Sequence, residues 1–314
     1  MPNALAIIHE HPEWQKPLFA ALNRRGVDYT TIDLKRAAFD PDAVPEAPLY
    51  FNQASPSAYV RGNTRAVPLC LSLMRSLEQS GARVLNGSRA FSLELSKSAQ
   101  CSLMKSLGID HPRSLAFNDV EAAIEQWQGP WPALLKPEQG GSGARMFLLN
   151  SPDELRRLLR EQPNLWLPDN LFLLQEYFPV DPANGIVRLE FLGGKLLYAM
   201  RVISHGAFNL CPSEVCNPAD GEGHCEVPTM KASKPVEFYA YKEVPAHAVE
   251  QASRIVAAGG LDVGGIEYLE APDGRLIFYD VNANSNLRAP VAQDFGGFDP
   301  FERVVDYLTN EIAK

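Results

Sequence analysis

The chain has 314 residues, 46% hydrophobic and 21% charged, a globular composition that excludes a largely disordered protein and gives length enough for two or three packed subdomains. With 29 Lys and Arg against 38 Asp and Glu the net charge is −9, which argues against a general affinity for nucleic acid. No apolar stretch reaches membrane-span length and the amino terminus lacks a basic-then-apolar signal pattern, so no membrane partner and a cytoplasmic location are expected.

In chain order, Ala4 to His9 reads as a strand, Trp14 to Arg25 as a helix and Tyr29 to Leu34 as a second strand, a parallel α/β beginning. A strand from Leu49 to Asn52, a helix from about Thr64 to Gln79 and a strand at Val84-Leu85 complete a first unit, residues 1–87. His9, Glu10 and His11 fall at the loop after the first strand, where polar residues are common without any function; a functional role there would be substrate contact rather than chemistry.

The second unit, 88–168, opens with two short helices. Ser96 suits an N-cap, Leu103, Met104 and Leu107 form an apolar stripe, and Gly108 closes the second helix. After a strand at Ser114 to Phe117 and a helix begun by Asn118 or Asp119, the strand Ala133 to Lys136 runs into LLKPEQGGSGARMFLL. Lys136 precedes Gly140, Gly141, Ser142 and Gly143, and Arg145 to Leu149 resumes as a strand. A P-loop has its lysine after the glycines and a helix next, and dinucleotide and kinase fingerprints space their glycines differently. What remains is a glycine-rich hairpin able to fold over phosphates, or simply an exposed turn.

The third unit, 169–314, begins with the strand Leu171 to Glu176 leading into Tyr177. Two strands, Ile186 to Leu192 and Lys195 to Val202, meet at Gly193-Gly194 as a tight hairpin. Uninterrupted pairing places Arg188 and Arg201 diagonally on one face, where they repel unless an anion lies between them or both reach solvent. From His205 to Tyr241 the sequence lacks periodicity and suggests long loops over a site. It contains Cys211, Cys216, His224 and Cys225, whose spacing matches no standard zinc pattern, and five cysteines in a long chain read as reduced thiols. Ala246 to Ala258 reads as a helix, and Asp299-Pro300-Phe301-Glu302 as N-cap, N1 proline and N3 glutamate of a helix through Leu308.

Between those helices, GGIEYLEAPDGRLIFYDVNANSN has alternating runs about Asp273-Gly274, the strongest short-range hairpin signal. A two-residue loop sets Glu267 opposite Asp280 with Asn282 on the same face. A four-residue loop makes the acids diagonal on one face, and a three-residue loop with a bulge can separate them. Opposed carboxylates about 5 Å apart are destabilising unless water or a cation relieves them. Two carboxylates and an amide suit magnesium or manganese.

In this order, Lys97, Lys136 with its glycines, Gln175-Glu176-Tyr177, Arg188, Arg201, and Glu267, Asp280 and Asn282 resemble the ATP-grasp superfamily, nearest its carboxylate-amine ligases of the ribosomal glutamate ligase and glutathione synthetase type. The resemblance spans roughly Asn86 to Leu308, and Asp280-Val281-Asn282 is its most specific element. It implies an α/β chain, α+β in its ATP-binding part, with an ATP-grasp fold behind a small parallel α/β domain. It also implies an ATP-dependent ligase that joins an amino acid or peptide carboxylate to an amine through an acyl phosphate and that can form a homo-oligomer; an ATP-grasp small-molecule kinase and a non-catalytic nucleotide-binding regulator are the alternatives. By resemblance, Lys97, Lys136 and Gly140 to Gly143 contact ATP phosphates, Gln175, Glu176 and Tyr177 hold adenine, and Asp181 the ribose. Glu267, Asp280 and Asn282 ligate Mg2+ or Mn2+, Arg201 stabilises the transferring phosphoryl group, Arg188 holds the acceptor carboxylate or acyl phosphate, and Asn209 and Arg288 touch substrate. Relatives have Asp-Arg where this chain has Val187-Arg188, so an acidic group near the acceptor is expected to be missing.

Overall fold

A computed structural model describes residues 4–43, 45–141, 143–205 and 236–314. The chain starts with β1 (Leu5–His9), α1 (Pro12–Arg24), β2 (Tyr29–Asp33), β3 (Leu49–Gln53), α2 (Ala66–Gln79) and β4 (Arg83–Leu85). These strands form a parallel sheet of order β2-β1-β3-β4. Every residue of β1 and β3 is buried, as befits strands covered on both faces. A 3-10 turn, Pro56–Arg61, follows β3 and was not foreseen from the sequence.

Asn86 fastens this unit to the rest. Its amide donates to the carbonyls of Val263 (2.8 Å) and Ala283 (2.5 Å) and accepts from the backbone N–H groups of Asp262 and Val263. The residue is fully buried with φ 48°, a conformation that Asn tolerates better than most residues.

Next come α3 (Ser88–Glu94), α4 (Lys97–Ser106), β5 (Ser114–Phe117), α5 (Val120–Gln126), β6 (Ala133–Pro137), β7 (Phe147–Leu149), α6 (Pro152–Glu161) and β8 (Phe172–Glu176). Strands β5-β8-β6-β7 form an antiparallel sheet backed by α5 and α6 through Ala123, Leu155 and Leu159. The Ser96 and Asp119 caps form as expected, each accepting from the N3 amide. The strand foreseen from Arg145 starts only at Phe147, because Arg145 sits in a turn with φ 56°.

The last part holds β9 (Ile186–Leu192), β10 (Lys195–Ile203), β11 (Glu237–Ala240), α7 (Ala246–Gly259), β12 (Val263–Glu270), β13 (Leu276–Asn282), α8 (Ala289–Gly296) and α9 (Pro300–Ile312). Its antiparallel sheet has the order β11-β10-β9-β12-β13. One face packs on α7 through Val187, Leu189, Ile266 and Tyr268 against Ala252, Ile255 and Val256. Strand β11 and helix α8 lie in stretches whose sequence carried no clear period. Asp299 caps α9, but Glu302 binds Arg24 and Arg25 rather than closing a capping box. Asn209, Cys211, Cys216, His224, Cys225 and Ser142 lie outside the described residues, so the zinc reading and two site expectations have no counterpart here.

Both hairpins depart from simple pairing. In β9–β10 the glycine turn forms, with φ 55° and 76° at Gly193 and Gly194, but the register shifts between Leu196 and Tyr198. Arg188 therefore faces Met200 and Arg201 faces Val187. Side chains alternate, so the two arginines lie on opposite faces of the sheet, and the expected shared face is corrected. In β12–β13 the loop has three residues, Pro272 to Gly274: Gly274 N–H donates to Ala271 O and Ala271 N–H to Arg275 O, both 2.9 Å. Gly274 takes φ 85° as this loop class requires. A second irregularity, between Glu267 and Tyr268 on β12, leaves Tyr279 as an extra residue on β13. The two offsets cancel, and Glu267 stands opposite Asp280 after all. Loop and bulge together preserve the pairing that a three-residue loop alone destroys.

Candidate active site

A cleft spanning about 1670 Å³, part of it open solvent, lies between elements from all three units of the chain. Its walls include Lys97, Lys136, Gly140, Gly141, Gly143, Gln175, Glu176, Tyr177, Arg188, Glu267, Asp280, Asn282 and Arg288. Arg201 and Asp181 are not among them. Arg201 faces away, bound to Glu270 at 3.0–3.1 Å and stacked over Tyr241. Asp181 caps an exposed turn by accepting from Ala183 N–H and Asn184 Nδ2. His9 and Glu10 are buried outside the cleft. Glu10 accepts from Arg61 at 2.5 Å, and Arg61 also binds Ser57 and stacks on Trp14, so these residues shape the wall that Trp14 presents.

Helix α4 delivers Lys97 from its first turn. Gln100, one turn on, clamps α4 to β13 by donating to Val281 O and accepting from Val281 N–H, each at 3.1 Å. Lys97 Nζ thereby reaches Asp280 Oδ1 at 2.5 Å. Glu138 accepts from the Ser96 and Ser98 hydroxyls and the Ser98 N–H, tying the end of β6 to the N-terminus of α4, where an anion also suits the helix dipole. The glycines follow at once. A Cβ on Gly140 would strike the Lys97 side chain, and one on Gly141 would lie 2.5 Å from Ser57 Cβ and 2.8 Å from its Cα. Only glycine lets this loop pass between Lys97 and the Pro56–Arg61 turn.

The opposite wall is the sheet. Arg188 on β9 donates from Nε to Glu190 Oε1 (2.6 Å), from Nη1 to Glu267 Oε1 (2.7 Å) and from Nη2 to Ser285 Oγ (3.0 Å). Glu190, two residues along the same face and fully buried, gives Arg188 an acidic partner behind the cleft wall; it is not among the cleft-lining residues, and the position before Arg188 remains Val187. Glu267 takes a further bond from Tyr279 OH at 2.8 Å, so the bulged tyrosine orients the carboxylate. Asn282 Nδ2 donates to Asp280 Oδ2 at 3.3 Å. Arg288 lies against the Phe238 ring, 3.3 Å from its centroid.

Charge is finely divided here. Burial opposes the charge of Lys97, but Asp280 outweighs it and holds the ammonium above its usual range. Burial likewise works against ionised Asp280, and Lys97 overcomes it and pulls the carboxyl down. Glu267 goes the other way, pushed up by burial despite Arg188. Lys136, buried and near Lys97, falls to about 8; its Nζ lies 5.4 Å from the centre of the Tyr279 ring. An anion in the cleft would restore its charge.

No cluster of three or more His, Cys, Asp or Glu able to hold a metal occurs among the described residues. Glu267, Asp280 and Asn282 supply two carboxylates and an amide, a set too small for a resident ion. It fits magnesium, which keeps waters and binds through one or two carboxylates plus substrate phosphates. Sequence reading missed Glu190, Tyr279 and Glu94, which also lines the cleft. Glu94 alone left a signal, an acid three and four residues after the buried Phe91 and Ala90 on one helix face.

No family model matches the chain, and no curated protein matches it either. Solved structures do. The ATP-grasp ligase PsnB, complexed with a phosphomimetic variant of its minimal precursor, Mg and ADP, is 17% identical over 99% of both chains, with a TM-score of 0.68. The VanG D-Ala:D-Ser ligase of Enterococcus faecalis is 16% identical over 99% of this chain and 100% of its own, TM-score 0.68. A RimK domain ATP-grasp protein of Sphaerobacter thermophilus is 17% identical over 96% and 98%, TM-score 0.67. The fold of this chain is ATP-grasp.

Proposed function

We propose that the chain is an ATP-dependent ligase joining a carboxylate to an amine through an acyl phosphate, with release of ADP and phosphate. The observation that carries this reading is the convergence on one cleft of two lysines, a glycine loop and an opposed pair of carboxylates braced by a half-buried arginine. Phosphoryl transfer asks a protein mainly for positioning and charge neutralisation, and these residues are equipped for both.

In this reading Lys97 and Lys136 bind ATP phosphates beneath the glycine loop, and the wall at Gln175 to Tyr177 takes adenine. Glu267, Asp280 and Asn282 hold Mg2+, which neutralises charge on the phosphates when bound. As ATP and its cation enter, Lys97 exchanges Asp280 for phosphate. Arg188 has its guanidinium fixed by Glu190, Glu267 and Ser285, so its role is to hold Glu267 in place and lend positive charge to the acyl phosphate; Arg201 has no part. Arg288 and the side chains near Trp14 and Asn286, shared with an adjoining cavity, contact the acid or amine. The PsnB structures contain a precursor peptide, which makes peptides as well as free amino acids sensible candidates.

The test is a screen of amino acids and short peptides, singly and in pairs, for ATP-dependent phosphate release, with hydroxylamine added to trap an acyl phosphate as a hydroxamate. Asp280→Asn should lower metal-dependent turnover by about 10³-fold or more while the protein stays folded. Turnover unchanged in that variant, or a stable phosphorylated product with no hydroxamate, overturns the reading.

A further inference from the structure

Amide synthesis needs something that the phosphate and metal sites do not supply. An amine arrives as an ammonium, which has no lone pair for attack, and a positioned base is needed to take its proton. Four carboxylates line the cleft among the described residues, and three are engaged. Glu267 is held by Arg188 and Tyr279, Asp280 by Lys97 and Asn282, and Glu176 accepts from the Arg113 N–H.

The fourth is Glu94, the last residue of α3, only 7% exposed. Its Oε1 accepts from the Asn284 N–H at 3.3 Å, and its Oε2 is buried without a hydrogen-bond partner. An orphaned buried carboxyl oxygen is costly and rare, and one at a cleft wall points to a missing donor. The backbone around it is fixed, because Gln100 Nε2 donates to Leu93 O at 3.1 Å and Asn284 Nδ2 to Gln53 O at 2.7 Å. Titratable groups whose fields meet Glu94 are Asp280, Arg188, Lys97 and the thiol of Cys70.

We propose that Glu94 Oε2 binds the ammonium of the amine substrate and takes one of its protons, an inference that rests on the ligase reading above. Burial pushes this carboxyl up to about 8, a value suited to exchanging a proton with an amine near neutral pH. The entering ammonium favours the carboxylate, which loses its own proton to solvent. One N–H proton then passes to Oε2 and the freed lone pair forms the C–N bond. The C–O bond to phosphate breaks, and phosphate leaves with that electron pair and with the second N–H proton. Glu94 returns its proton to water after product leaves.

Hydroxylamine separates this role from the rest of the machinery, because its nitrogen is largely neutral at pH 7 and needs no base. Wild-type protein with the amino acid found active in the screen is expected to form both hydroxamate and amide. Glu94→Gln should keep hydroxamate formation within about threefold and lose amide formation by about 100-fold, with Glu94→Asp recovering part of it. Both products at wild-type rates in Glu94→Gln, or equal loss of both, overturns the role of Glu94 and leaves the ligase reading standing. Absence of hydroxamate and of amide in the wild type overturns the ligase reading and the inference with it.

Discussion

Substituting Gly265 by alanine sets a methyl group against the guanidinium of Arg188 without touching any candidate ligand. The added Cβ would lie 2.6 Å from Arg188 Cζ and 2.8 Å from Nε, where carbon contacts are comfortable only near 3.5–4 Å. The guanidinium must therefore move by about 1 Å, more than hydrogen-bond geometry tolerates. It is held at 2.6, 2.7 and 3.0 Å by Glu190, Glu267 and Ser285. Hydrogen bonds to charged groups contribute about 1.5–3 kcal/mol each, and the stiffer unfolded chain of alanine returns about 0.4–1 kcal/mol. Losing two of the bonds predicts a net destabilisation of about 2–5 kcal/mol. Urea unfolding of Gly265→Ala, Arg188→Lys and the double variant measures it. Lysine lacks the planar group that the methyl strikes, so the glycine change should cost less than about 1 kcal/mol in that background, a coupling typical of residues in contact. Equal costs in both backgrounds, or an unaffected single variant, would refute the reasoning.

The glycine loop offers a second check: Gly141→Ala collides with the backbone of Ser57 as well as its side chain, and should raise the apparent KM for ATP by about tenfold, read by nucleotide titration. Arg201→Ala should leave turnover within about threefold, since the side chain pairs with Glu270 on the far face, and should cost at most about 1 kcal/mol in unfolding experiments. The pH dependence of stability should bear the mark of Glu94. Its carboxyl titrates near 4.5 ordinarily and about 8 when folded; a raised pKa gives stability that is full below the lower value and lost as pH rises through the upper one. Between pH 5 and 8 the wild type should therefore lose about 2–4 kcal/mol more than Glu94→Gln, and parallel pH-stability curves would contradict this.

Much of the fold was legible because its signals are local. Alternation, caps and glycine punctuation located β1 to β4, the helix capped by Ser96 and both hairpins, since each depends on residues close in sequence. Strand β11 and helix α8 escaped because neither carries a period of its own; β11 is defined by its pairing with β10, and α8 by Val291 and Ala292 joining the core cluster that includes Tyr198 and Met200 of β10. The ordered series from Lys97 to Asn282, Arg201 excepted, likewise lines one cleft.

What the sequence by itself determined is the residue content of that cleft: two lysines, a run of glycines, and acids and amides in alternation on the last strand pair. What only the tertiary structure decided is orientation. One extra residue at Leu197 turned Arg201 away from Arg188, and another at Tyr279 restored Glu267 to Asp280 after the loop had shifted them. A period of two makes every face assignment hostage to a single bulge, and bulges form in response to twist and packing that no local pattern announces. Glu190 and Glu94 became visible for the same reason, since burial and an unmatched oxygen are properties of the assembled chain.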